Sequence, residues 1–377
     1  PSEIFSEIQP EPLGTASLAQ VHAATLRETG ERVAVKVQHP FIRARSLVDA
    51  YTMEVLVRGV AYWFPQFHLM WLVEEVKRNL PAELDFLMEA RNCHQVGRLF
   101  QHLDFLKVPS VDWDRCSERV LTMELCEGGF VTDLPYYAQH GLSPEDVSKK
   151  LGRLYSEMIF CEGFVHADPH PGNILVRKND SDGGADIVLL DHGLYRVLPE
   201  SFRAEYARLW LAIIDGRVAE IQRSAQKLGV SHLYGVLACM VSNRNWASVT
   251  KGLKDAERPS QLETVEIQRY AGSLLPEISE ILASVPVPML LLFKTNDLLR
   301  AIERKLGTSH SRHALLQMSK RCVRTVTRDD LKRLPPSATT TLRLRIHFGC
   351  WLRLLRIELL SLLLHFAYLV PFLNVAY

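Results

Sequence analysis

With 377 residues, 47% of them hydrophobic and 23% charged, the chain has the composition of a globular protein with a sizeable core, enough for two or three domains or one two-lobed unit. A net charge of +1 gives no global signal for nucleic acid, which is not an expected partner, although between Arg300 and Arg356 14 Lys or Arg stand against three acids. Seven cysteines, an odd number without a Cys-x-x-Cys pair, argue against a disulfide framework or a zinc site and for a reducing compartment. The chain opens on Pro1 rather than Met, so it reads as a fragment in which no targeting peptide can be judged.

In chain order, Ala19–Ala24 and Arg32–Val37 read as two strands of a β-hairpin joined by a turn at Glu28-Thr29-Gly30-Glu31. The loop that enters it, Gly14-Thr15-Ala16-Ser17-Leu18-Ala19-Gln20-Val21, has the spacing Gly-x-Gly-x-x-Gly-x-Val of a loop that covers phosphates, with alanine at the second and third glycine positions. Alanine restricts backbone conformations that glycine would allow. Lys36 closes Val33-Ala34-Val35-Lys36, where a phosphate-pairing lysine would stand. Two helical runs follow, Phe41–Trp63 and Leu69–Phe100, the second with a break or kink expected at Pro81. It carries Glu83, Asp85 and Glu89, and Glu89 or Glu83 is the expected partner of Lys36.

Arg119–Leu125 reads as a buried strand running into the Cys126-Glu127-Gly128-Gly129 turn. Such a connection suits adenine, whose edge needs a donor and an acceptor from the backbone; Glu124 and Cys126 lie there, and Met123 would line the back of the pocket. Leu142–Phe160 is an expected helix with Ser143 as N-cap and Pro144 at its first position. Further helices are expected from Pro199-Glu200 (with Phe202, Tyr206, Leu209, Trp210 and Ile213 on one face), and over about 218–228, 233–241, 264–282 and 288–306. Leu342–Leu373 is basic and then strongly apolar. Its part from Ile357 to Val375 approaches a membrane-spanning length but holds Glu358, His365, Pro371 and Asn374, which are costly in hydrocarbon. A spanning helix, an interfacial helix and a helix packed on the protein's own core all remain open, and Arg343, Arg345, Arg353 and Arg356 suit an anionic membrane surface.

The chemistry concentrates in His166-Ala167-Asp168-Pro169-His170-Pro171-Gly172-Asn173 and in Asp191-His192-Gly193. Two prolines and a glycine make the first a stiff loop carrying Asp168 and Asn173. The apolar run 186–190 reads as a buried strand that delivers Asp191 at its end. A strand end beside a rigid polar loop can hold Mg²⁺ and a polyphosphate, with Asn173 and Asp191 on the metal and Asp168 beside the acceptor. Only Leu194–Leu198 separate Gly193 from Pro199, and no Ala-Pro-Glu follows, so there is no room for the shelf on which kinases lay a peptide.

Together with Glu83-Leu84-Asp85-Phe86 and Gln38-His39-Pro40, these motifs resemble the UbiB family of atypical kinases, also called ABC1 or AarF-domain kinases, and within it a mitochondrial branch. The specific motifs cover about residues 10–215, and the helices to about 320 more loosely. The resemblance implies an α+β, two-lobed, protein-kinase-like fold: a small β-rich lobe with family-specific helices over 1–125, a mainly helical lobe over 126–320, and a C-terminal helical extension over 321–377. It implies ATP or ADP with Mg²⁺, a role in mitochondrial lipid or quinone homeostasis, Lys36 on phosphate paired with Glu89, Glu83 and Asp85 as the Glu-x-Asp motif, and Asp168 as the catalytic-loop carboxylate. The chain begins after the family's Lys-x-Gly-Gln helix, and Asp-His-Gly replaces Asp-Phe-Gly. An ATPase or phosphotransferase acting on a small or lipid-like acceptor is the reading that keeps all these residues; the alternative is a catalytically weak scaffold acting through partners or membrane.

Overall fold

The computed structural model describes residues 2–64, 70–179, 181, 183–230, 232–252, 275–308 and 313–369. The chain divides into two compact units, one of residues 1–147, 166–195 and 294–306, the other of 148–165, 196–293 and 307–377.

The first unit is built on an antiparallel sheet of β1 (Phe5–Ile8), β3 (Ala19–Leu26), β4 (Arg32–Gln38) and β6 (Val120–Glu124), in that order, with β2 (Gly14–Thr15) added beside β3. The turn between β3 and β4 is made by Gly30, whose φ of +70° lies in the left-handed region that glycine enters without strain. Side chains alternate across the sheet. Val33 and Val35 face Phe5, Ala24 and Leu26 in one apolar cluster. Ala34 faces the other way, into a cluster with Ala19, Leu121, Met123, Phe86 and Ala90. The last two belong to α3 (Phe86–Leu99). Small residues on the strands let this helix lie close, and Lys36, of the same parity as Ala34, points toward it. A second sheet runs in the order β5 (Leu106–Lys107), β9 (Ala185–Leu189), β8 (Ile174–Lys178), β7 (Gly129–Phe130).

Before α3 come α1 (Ile42–Trp63) and α2 (Met70–Glu83). The helical break expected at Pro81 falls later: Pro81 lies inside α2, and the chain turns at Leu84-Asp85. Tertiary bonds fix it there. The buried Gln38 donates through Nε2 to the carbonyl of Leu84 at 2.8 Å, and Asp85 starts the next helix by accepting from the Leu87 amide at 3.0 Å. An N-cap aspartate satisfies an otherwise orphaned donor of the first turn.

In the second unit, the helix expected over 142–160 is regular only in α4 (Pro144–Ser156), which begins in the first unit; a wider π-type turn replaces its end over Glu157–Glu162. Arg321 pins that turn by donating to the buried Glu157 at 2.9 Å, and Thr325 donates to the Phe160 carbonyl at the same distance. The helix from Glu200 to Asp215 buries Phe202, Tyr206, Leu209, Trp210 and Ile213, the face its periodicity predicts. Three short helices follow at Val218–Lys227, Tyr234–Ser242 and Trp246–Lys251. Of the helix expected over 264–282, residues 264–274 lie outside the described residues, and Leu275–Ser284 is helical. The helix Val287–Lys305 passes from the second unit into the first at Lys294, and His313–Lys332 and Thr340–Leu369 are the last described helices of the second. The last packs Ile357, Cys350 and Leu354 on Leu316 and Val323, while Leu344, Phe348 and Trp351 are exposed. Among the described residues no helix is long and apolar enough to cross a membrane. Pro371 and Asn374 lie outside them.

Candidate active site

Lys36 leaves β4 on the α3 side and meets Glu89 in the first turn of that helix. Its Nζ donates to both carboxylate oxygens, at 2.7 and 2.9 Å. It also lies 3.6 Å from Asp191 and over the Phe86 ring, 5.2 Å from the centroid. The partner of Lys36 is thus Glu89. Glu83 is the last residue of α2, and the Asp85 carboxylate serves as the cap of α3. Burial disfavours charge on Lys36, but Glu89 and Asp191 outweigh it and hold its pKa above the usual lysine value. Burial pushes the Glu89 carboxyl up to about 7, against the pull of Lys36.

The loop carrying Asp168 and the strand end carrying Asp191 are joined by one imidazole. His166, buried, donates from Nε2 to the Asp191 carbonyl at 2.8 Å, and its Nδ1 accepts from the Asp168 amide at 3.2 Å. A carbonyl can only accept, so the proton sits on Nε2 and the ring is neutral. Burial holds its pKa below the usual histidine value. His192, in the Phe position of Asp-Phe-Gly, is also buried, which pushes its pKa down to about 3. It donates to the Leu189 carbonyl at 3.1 Å and accepts from the Tyr195 hydroxyl at 3.0 Å, stacked on that ring. Asn92 of α3 donates to the His192 carbonyl at 2.9 Å. His192 is therefore a bonded part of the strand end. Neither its role nor that of His166 could be read from residue spacing.

Asn173 and Asp191 come together because the Leu190 amide donates to the Asn173 carbonyl at 3.0 Å, extending the β8–β9 ladder. The Asp191 carboxylate accepts from the Gly193 amide at 2.8 Å. Burial opposes its charge, but Lys36 and that amide hold it below the usual carboxylate range. Among the described residues, no cluster of three His, Cys, Asp or Glu could hold a metal alone. One carboxylate and one amide oxygen, completed by phosphate and water, are what Mg²⁺ commonly takes, so these two residues fit such an ion.

The alanine loop is a tight hairpin: Gly14 and Thr15 pair with Val21 and Gln20, and the Ala16 amide donates to the Ala19 carbonyl at 2.8 Å. Ala16, Ser17 and Thr15 are exposed. His39 holds the loop from behind, donating from its ring to the Ala16 carbonyl at 3.0 Å and from its amide to that of Leu18 at 3.0 Å. Met123 is buried in the core cluster against Phe86 and Ala90. The Glu124 side chain is taken by Lys107 at 2.7 Å, and its amide by the Ser110 carbonyl at 2.8 Å. Cys126 is half-buried, which pushes its thiol up to about 11. One site residue is absent from any motif: Lys294, whose Nζ lies 3.2 Å from Asp168 Oδ1.

A profile of the ABC1 atypical kinase-like domain matches residues 1–225. The chain is 51% identical over 324 residues to an AarF domain-containing protein kinase 1 of Gallus gallus, with 86% of this chain and 62% of that protein covered. It is 49% identical to an AarF domain-containing kinase 1 of Drosophila melanogaster, with the same coverage. It is 36% identical to a putative ABC1 protein of Arabidopsis thaliana over 85% of this chain and 62% of that one. The chain thus spans about three fifths of the length of these curated relatives. A Mycobacterium tuberculosis protein solved in complex with erythromycin shares the fold, at a TM-score of 0.55 and 19% identity, over 84% of this chain and 79% of that one. With its α+β kinase-like fold and the profile covering more than half its length, the chain belongs to the ABC1 atypical kinase-like family.

Proposed function

We propose that the chain carries a Mg²⁺-dependent nucleotide site that hydrolyses ATP or transfers its terminal phosphoryl group to a small or lipid-like acceptor, within mitochondrial lipid or quinone homeostasis. The observation that carries this reading is the Lys36 ammonium within 3.6 Å of both the Glu89 and the Asp191 carboxylates, with His166 bonding the Asp168 loop to the Asp191 backbone. In it, Lys36 binds nucleotide phosphates and Glu89 aims it. Asn173 and Asp191 hold the metal, which when bound screens phosphate charge. The Gly14–Val21 loop lies over the phosphates, and the backbone from Glu124 to Cys126 meets adenine beside Met123. Because the Glu124 amide already serves Ser110, the donor to adenine falls to the residues after it. Asp168 accepts the proton of the attacking water or hydroxyl as the new bond to phosphorus forms.

The short stretch from Gly193 to the helix at Glu200 favours a small acceptor over a peptide. The Thr340–Leu369 helix, with Arg343, Arg345 and Arg353 exposed beside Leu344, Phe348 and Trp351, supports contact with an anionic membrane surface rather than a span. The test is radiolabelled ATP offered with a peptide library and, separately, with anionic and neutral liposomes, to the intact chain and to Asp168→Asn. The reading expects hydrolysis or lipid labelling that depends on Asp168 and is stronger with anionic vesicles. Strong Asp168-dependent labelling of peptides would overturn the acceptor class. No turnover on any substrate would favour the scaffold.

A further inference from the structure

The Asp168 loop contains no Lys or Arg between His166 and Asn173. Its one other imidazole besides His166, that of His170, is exposed, and its Nδ1 is taken up within the loop, accepting from the Gly172 amide at 3.1 Å. Lys36, the phosphate lysine of the reading above, stands with Glu89 and Asp191. A terminal phosphate approaching Asp168 would therefore meet a carboxylate with no cation from the loop itself. The missing charge arrives from far downstream. Lys294 lies on the helix Val287–Lys305, which is anchored by the buried Leu292, Thr295 and Ile302, and its ammonium reaches Asp168 Oδ1 at 3.2 Å.

We propose that Lys294 is a catalytic residue that binds the terminal phosphate of the nucleoside triphosphate at the Asp168 side of the site. The proposal rests on the nucleotide reading above. Two features favour it over a latch that masks Asp168. The contact is a single one, and the side chains of Lys294 and Asp168 are 51% and 41% exposed. Water-screened pairs of this kind change an equilibrium by about two- to fivefold, too little to hold a site shut but easily exchanged for a phosphate of higher charge. In the transfer step the bond from the terminal phosphorus to the bridging oxygen breaks and the bond to the acceptor oxygen forms. The acceptor's proton goes to Asp168, and the nucleoside diphosphate leaves with the bridging electron pair. Lys294 stays on the non-bridging oxygens, where a fixed cation lowers the cost of the charge in transit.

The experiment measures Mg-ATP and Mg-ADP affinities, and ATP turnover, for the intact chain, Lys294→Met, Lys294→Arg and Lys36→Met. For Lys294→Met the expected result is an ATP affinity about tenfold weaker, an ADP affinity changed by less than about twofold, and turnover lower by about ten- to a hundredfold. Lys294→Arg should recover part of both losses, whereas Lys36→Met should weaken ATP and ADP alike. An unchanged ATP-to-ADP ratio in a chain that binds both nucleotides would overturn the role of Lys294 and leave the site reading standing. A rise in turnover would overturn it in favour of the latch. Failure of the intact chain to bind either nucleotide would overturn both.

Discussion

Two lysine–carboxylate pairs sit in the same unit and are built in opposite ways. Lys36 and Glu89 are 13% and 3% exposed, share two hydrogen bonds, and have the Phe86 ring alongside. Lys294 and Asp168 are half-exposed and touch through one oxygen. Away from water a charge pair is strong, and each member is costly to strand. In water the same pair is nearly neutral in energy and free to exchange. The first pair is fixed in place; the second is open to exchange, which in the proposed function leaves Asp168 and Lys294 available to whatever enters.

Substitutions should separate the two. The largest effect is expected from Asp168→Asn, which removes the base and leaves the binding groups: turnover should fall by about 10²- to 10⁴-fold, with the nucleotide-induced melting shift retained. Loss of that shift would mean that Asp168 acts in binding. Lys36→Met should remove most of the shift itself. Ligand at about 100 times its Kd stabilises a fold by about 2.7 kcal/mol, or about 5–10 °C at this size, and a variant still showing it would free Lys36 from phosphate. By contrast, Lys294→Met should lower the melting temperature of the nucleotide-free chain by no more than about 2–4 °C, the equivalent of about 1 kcal/mol. A larger drop would mark this pair as structural too.

The smallest effect is on pH dependence. With the Glu89 carboxyl pushed up to about 7, acidification below that value protonates it and loosens its hold on Lys36. Affinity for Mg-ATP should therefore decline as pH falls through about 7, and the decline should vanish in Glu89→Gln. A decline of the same size in that variant would assign the titration to another group.

What the sequence disclosed was local. The β3–β4 hairpin, Lys36 at its end, the stiff Asp168–Asn173 loop and the strand ending in Asp191 each follow from short patterns of apolar alternation, proline and glycine. The residue pattern alone leaves Glu89 and Glu83 open, because the choice depends on the pleat of β4 and on where α2 stops; the family resemblance points to Glu89, which is the partner in the structure. The break or kink expected at Pro81 does not mark where α2 ends, since the bond from Gln38 to the Leu84 carbonyl that fixes that end joins residues far apart in the chain. The π-type turn after Ser156 and the bridge made by His166 are likewise tertiary. Lys294 is the extreme case: nothing around it in sequence marks it, and only the folded chain carries it to Asp168.

The central claim is that Asp191 and its neighbours form a metal-dependent nucleotide site. The measurement that tests it most directly is the melting temperature of the intact chain and of Asp191→Ala, with ATP or ADP, with and without Mg²⁺. The expected result is a rise of about 5–10 °C that needs both nucleotide and Mg²⁺ in the intact chain and disappears in Asp191→Ala. A rise of equal size without Mg²⁺, or in Asp191→Ala, would contradict the claim.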